Sequence, residues 1–176
     1  MDEIDFLTLP QIQQLLQATE NPRHRLQILL LSDAGLRVTE MINLKWSDLD
    51  FRKKTIFVRT LKQRDKTEDK KRQLPMSQRL YDAFADYIEK NGKATGFIFS
   101  GDGGKSPITR QAVNKMLKGI EHENPELPEL FPHKLRHSFA THLRANGAKL
   151  CRSLCGNNSG NSGFSCSIPL SILLTA

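Results

Sequence analysis

The sequence predicts an α+β domain that is mainly helical, with a small antiparallel β-hairpin or sheet at one edge. Apolar residues recur at helical spacing behind Pro10, Pro22, Ser77, Thr109 and Pro132, which are good helix-opening residues. Strand-like alternation is confined to residues 55–61 and the stretch around 72–76, which flank a strongly charged segment at 62–71. The chain has 176 residues, 38% hydrophobic and 26% charged, a length and mixture suited to one domain with a real core.

Phe6, Leu7, Thr8 and Leu9 lead through Pro10 into an amphipathic helix carrying Ile12, Leu15 and Leu16. Asn21 and Pro22 open a second helix through Leu26, Leu29, Leu30 and Leu31, closed at Gly35, which is free to take a left-handed turn. Arg37 follows that turn and starts a short helix reaching Leu44. The hairpin comes next, with its charged tip. Ser77 caps a helix whose apolar side holds Leu80, Phe84, Tyr87 and Ile88, ended by Asn91 and Gly92. Phe97, Ile98 and Phe99 read as a short strand and 101–104 as a turn. Thr109 caps a helix with Val113, Met116, Leu117 and Ile120. A proline-rich acidic loop at 121–129 precedes the last helix, in which Leu135, Phe139 and Leu143 make an apolar stripe and Gly147 is the stop.

The formal charge is +7 and the pI about 9.5, so a polyanion such as DNA is a reasonable partner, bound through phosphate neutralisation and counterion release. No apolar run approaches a membrane span, and the N-terminus lacks the basic-then-apolar plan of a signal peptide, so a cytoplasmic protein without membrane contact is expected. The three cysteines, Cys151, Cys155 and Cys166, all lie near the end, and a disulfide framework is not expected. No fourth ligand accompanies them, which argues against zinc. The run Gly101-Asp102-Gly103-Gly104-Lys105-Ser106 imitates the close of a phosphate-binding loop, but Phe99 stands where the first glycine is required and Pro107 interrupts the following amides.

The chemistry concentrates in the last helix. His133 and Arg136 are three apart and share a face beside the apolar stripe. A guanidinium fork donates two parallel hydrogen bonds and an imidazole can supply a proton, a pairing suited to an anionic oxygen such as a phosphate's. On a basic protein such a pair is ordinarily just a solvated face; the surrounding pattern points further. His133-x-x-Arg136 runs on as His137-x-Phe139-Ala140-Thr141-His142-Leu143. Upstream stands Ala34-Gly35-Leu36-Arg37-Val38-Thr39-Glu40-Met41-Ile42-Asn43-Leu44-Lys45-Trp46-Ser47-Asp48-Leu49-Asp50. These two boxes, in this order, resemble those of the tyrosine recombinases, the phage integrase family, over residues 6 to about 150.

The resemblance implies the tyrosine recombinase catalytic-domain fold and site-specific DNA strand exchange. In that family a tyrosine attacks a phosphodiester of double-stranded DNA, giving a 3′-phosphotyrosyl intermediate and a free 5′-hydroxyl; no cofactor or obligatory metal is used. Arg37 and Arg136 match the two arginines that contact the phosphate, and they would offset charge building in the transition state. His133 matches the histidine or lysine that donates to the phosphate or moves a proton, and Glu40 the acidic position that orients Arg37. A hairpin lysine should protonate the leaving 5′-oxygen. Lys62 is favoured by its place at the end of the strand, with Lys66 the alternative because Lys66-Thr67 followed by Arg72-Gln73-Leu74-Pro75 resembles a signature of many members. His137 and His142 are read as supporting or packing residues rather than metal ligands. Arg59, Thr60, Lys70, Lys71 and Arg110 are candidates for DNA-backbone contact. In the full-length protein other recombinase protomers are expected partners.

The departure lies at the end. After the last helix the family pattern calls for a Leu-Gly-His segment and the nucleophilic tyrosine, whereas residues 151–176 hold neither, and the chain's two tyrosines, Tyr81 and Tyr87, are upstream. Residues 1–150 are therefore read as a C-terminally incomplete catalytic domain, and 151–176 as a non-family tail, frameshifted or disordered. The chain is expected to be unable to cut DNA alone. A non-cutting DNA-binding accessory or inhibitory factor, or a decayed remnant, are the other readings. If the tail is frameshifted, the encoding DNA beyond the codon for Leu150 will show a Leu-Gly-His segment and then a tyrosine in another frame; sequencing that region checks it.

Overall fold

The computed structural model describes residues 6–59, 71–92 and 95–146. Lys62, Lys66, Gly147 and the tail at 151–176, all singled out above, lie outside the described residues. Helix α1 (Leu9–Ala18) begins at a reciprocal cap, in which Gln11 N–H donates to the Thr8 hydroxyl while Thr8 N–H donates to the Gln11 side chain. Helix α2 (Pro22–Ser32) starts at Asn21, whose side chain accepts from Arg23 N–H. From Leu26 to Ser32 every α2 residue is buried. Such all-round burial makes it the central rod, packed against α1 and, as described below, against three later helices.

Beyond Ser32 the chain turns through Gly35 at φ 60°, and Arg37 becomes the N-cap of the short helix α3 (Val38–Ile42). A 3-10 turn, Trp46–Asp48, leads to a three-stranded antiparallel sheet of β1 (Leu49–Asp50), β2 (Thr55–Arg59) and β3 (Lys71–Pro75), in that spatial order. Ile56 pairs with Leu74 and Val58 with Arg72, so the inward face is apolar except for Arg72. Phe57, Arg59, Lys71 and Gln73 form the outer face.

Helix α4 (Gln78–Asn91) is capped by Ser77 and closed by Gly92 at φ 73°. Its Tyr87 stacks on Trp46 with ring centroids 6.2 Å apart, and the Tyr87 hydroxyl donates to Ile98 O. Helix α5 (Arg110–Glu123) follows the cap at Thr109, and helix α6 (Pro132–Ala145) starts at Pro132. α2 packs against α3, α4 and α6, and α3 packs against α5.

Several expectations are corrected. The strand β1 was not anticipated, because two residues carry no readable alternation. Residues 97–99 form no strand; Phe97 and Ser100 make isolated bridges to Lys45 and Pro107, since the partners are themselves irregular chain. Glu121 and Glu123 belong to the last turn of α5 rather than to the acidic loop. α3 stops at Ile42, where Asn43 takes over as its C-cap.

Gly35 decides how α6 is seated. A Cβ built there would overlap the ring of Phe139, and Arg136 Nη1 donates to Gly35 O. Further along, the Leu7 N–H donates to Ser138 Oγ at 2.7 Å and His142 Nε2 lies 2.7 Å from Leu7 O, so the first described residues are fastened to the same helix. Gly35→Ala is expected to destabilise the fold by roughly 2–5 kcal/mol, combining left-handed strain with overpacking. Denaturant unfolding checks it, and Phe139→Ala should recover the steric part of the loss.

Candidate active site

An open cleft of about 700 Å³ lies where the starts of α3, α5 and α6 converge. Arg37, Val38 and Thr39 line one side, Arg110 and Asn114 another, and α6 presents His133, Arg136, His137 and Ala140. Those four α6 positions fall at helical spacing on one face, while Leu135 and Leu143 on another face are buried. Phe139, half-buried, covers Gly35.

The two boxes are brought together by the Gly35 turn. Arg136 donates to Gly35 O and Arg37 stands two residues farther along, so residues from distant parts of the sequence share one wall. Among the described residues, three arginines and two histidines line the cleft, and no carboxylate does. On the box-one side Arg37 contacts an acid, Glu40, whose side chain is only 2% exposed. It accepts from Arg37 N–H at 2.8 Å and from Arg37 Nη1 at 3.1 Å. Arg72 reaches the same carboxylate from β3 with both terminal nitrogens, each at 2.8 Å. Burial alone would raise the Glu40 pKa, but the Arg72 bonds, then the Arg37 amide and the two guanidinium charges, outweigh it and hold the carboxyl below its ordinary range.

Of the residues expected from sequence, Arg37, His133 and Arg136 meet on the cleft and Glu40 sits beneath Arg37. His142 is engaged by the N-terminal segment, at Leu7 O and against the edge of Phe6, in keeping with a packing role. His137, read as a supporting residue, instead lies on the cleft wall. Arg110 is on the wall as well, while Thr39 and Asn114 were not foreseen. Arg72 was visible only as part of the Arg-x-x-Pro signature, with no role attached. Arg59 turns toward Asp48 at 3.8 Å. Neither tyrosine lines the cleft: Tyr87 is bonded to Ile98 O, and Tyr81 packs edge-on against Phe51. In the loop at 101–106 the Asp102 carboxylate accepts from the Lys105 and Ser106 amides, leaving no phosphate cradle there.

Comparison with known proteins places this geometry. The model of the phage integrase family matches residues 5–152. Tyrosine recombinase XerD of Listeria innocua is 33% identical over 156 residues, covering 82% of this chain and 50% of that protein. Tyrosine recombinase XerA of Thermococcus kodakarensis is 34% identical over 148 residues, with 82% and 50% covered. The crystal structure of a XerA recombinase superposes with a TM-score of 0.70 at 24% identity, over 82% of this chain and 52% of that one. The Tn1549 transposon integrase, solved in complex with transposon right end DNA, gives 0.65 at 26% identity, over 88% and 58%. The chain belongs to the phage integrase family, the tyrosine recombinases, and has their catalytic-domain fold. It spans about half the length of the curated relatives it matches.

Because the Glu40 pKa is depressed on folding, its ion pairs contribute stability above the ordinary glutamate value of 4.5, and that contribution is lost as pH falls through the lower folded value. Thermal unfolding followed downward from neutral pH is expected to show a loss below that point which Glu40→Gln lacks.

Proposed function

We propose that residues 1–150 are the C-terminally incomplete catalytic domain of a site-specific tyrosine recombinase of a mobile element, holding a phosphodiester of double-stranded DNA in the Arg37–Arg136 cleft. The observation that supports this reading is the convergence of Arg37 and Arg136 on one cleft through the Gly35 turn. Two guanidiniums donate to the non-bridging oxygens and offset the charge that builds as phosphorus becomes pentacoordinate. His133, exposed at the first turn of α6, donates to the phosphate or moves a proton. Glu40 keeps Arg37 directed. Lys62, ahead of Lys66, protonates the leaving 5′-oxygen. A cytoplasmic location fits DNA as substrate, and among the described residues no helix is long and apolar enough to cross a membrane. Other protomers of the full-length recombinase are the protein partners.

Residues 151–176 form a tail outside the catalytic domain, a reading supported by the family match ending at 152. With Tyr81 and Tyr87 engaged in packing and no tyrosine following Arg136, the 176-residue polypeptide binds the phosphodiester without cutting it.

Arg37→Ala and Arg136→Ala are each expected to weaken binding to duplex DNA by about 1–3 kcal/mol and to flatten its salt dependence by roughly one phosphate contact. Titration at several salt concentrations measures both, and variants binding like the parent would overturn the cleft assignment. On a nicked recombination site the chain should give no covalent protein–DNA adduct. Adding a family-like C-terminus with its tyrosine should produce one if the recombinase reading holds, and should fail if the domain only binds.

A further inference from the structure

Arg72 is outside the cleft lining, yet it makes the tightest side-chain contacts to the acid beneath it. Its two terminal nitrogens lie 2.8 Å from the two Glu40 oxygens, against a single side-chain contact of 3.1 Å from Arg37. The Arg72 and Glu40 side chains are 18% and 2% exposed, and that of Arg37 is 31% exposed. Sheet pairing with Val58 fixes the Arg72 backbone, and its fork matches the carboxylate edge in the bidentate manner open only to arginine. Two cations and one anion leave one net positive charge, and the most exposed member of the trio is Arg37.

From this arrangement we propose that Arg72 is a positioning residue that acts through charge: by engaging the Glu40 carboxylate it leaves Arg37 a net cation toward the cleft. The proposal rests on the phosphodiester reading above. Without Arg72, Glu40 is matched by Arg37 alone, and the pair presents a neutral dipole where the phosphate sits. In a partly buried site that difference is felt strongly, because water screens it poorly. Glu40 then has two effects that oppose each other. It aims Arg37 through Oε1 and the backbone amide, and it offsets the charge being aimed. Arg72 cancels the second effect and preserves the first.

The test uses the full chain and a short mixed-sequence DNA duplex, titrated at several salt concentrations, with circular dichroism to establish folding. Arg72→Met is expected to weaken binding about tenfold and flatten the salt dependence, as for loss of one charge-assisted contact. Arg72→Lys, which keeps the charge but loses the two-point fork, should bind more tightly than Arg72→Met and fall short of the parent. In the double variant Arg72→Met with Glu40→Gln, the glutamine oxygen still accepts from Arg37 but carries no charge, so affinity should return to within about twofold of the parent. A residue that merely braced the fold gives the opposite result, a double variant as weak as Arg72→Met or weaker. That outcome, or parental affinity in Arg72→Met, overturns the proposal. Should Arg72→Met not fold, Glu40→Gln alone decides: freed of the anion, the site should bind more tightly, and unchanged or weaker binding by the folded variant refutes it. If instead Arg37→Ala binds DNA like the parent, the phosphodiester reading itself fails.

Discussion

The structure hangs on the contact between α6 and the turn through Gly35. The turn needs φ 60°, and the Phe139 ring occupies the space a side chain would take, so two separate requirements exclude anything but glycine. Arg136 then donates to the carbonyl of that same residue. One position thereby sets the end of the α2 segment, the height of α6 and the approach of Arg136 to Arg37. Burial of α2 from Leu26 to Ser32 makes the turn rigid, because the rod leading into it is packed on every side.

Charge in this domain is organised by depth. The Lys118 contacts to Glu121 and Glu129 are exposed at the lysine, and the Arg59–Asp48 pair is long at 3.8 Å; such pairs contribute little. Glu40 is different. A buried carboxylate bonded by two guanidiniums and an amide costs much to desolvate and more to leave unmatched, so its partners are coupled rather than interchangeable. Among the described residues, the charged side chains that line the cleft above it are all arginines.

Much of this was legible from sequence because each major helix advertises its own start. Ser77 and Thr109 cap where capping residues were read, Asn21 caps where a helix opening was read, and Pro132 opens α6. Arg37, Glu40, His133 and Arg136 could be chosen because two local patterns carried them. What escaped depends on contacts between distant segments. The two-residue strand β1 exists only because β2 pairs with it, and Phe97 is held by single bridges that leave no alternation. Arg72 looked like one more charge beside a charged tip, and nothing local shows that it faces inward between Val58 and Glu40. His137 was read by analogy as a supporting or packing residue, whereas helix geometry alone puts it one turn from His133 and on the same wall.

The fastening of Leu7 to α6 bears on how the domain comes into being. Leu7 and Ser138 are 131 positions apart, and Arg136 and Gly35 are 101 apart. Contacts of such span demand that chain entropy be lost before they return any stability, which places them late in folding. During synthesis the first helices and the sheet emerge well before α6, leaving the part of α2 that α6 packs against uncovered until it arrives. The cleft is therefore completed only when the two ends of the domain have met.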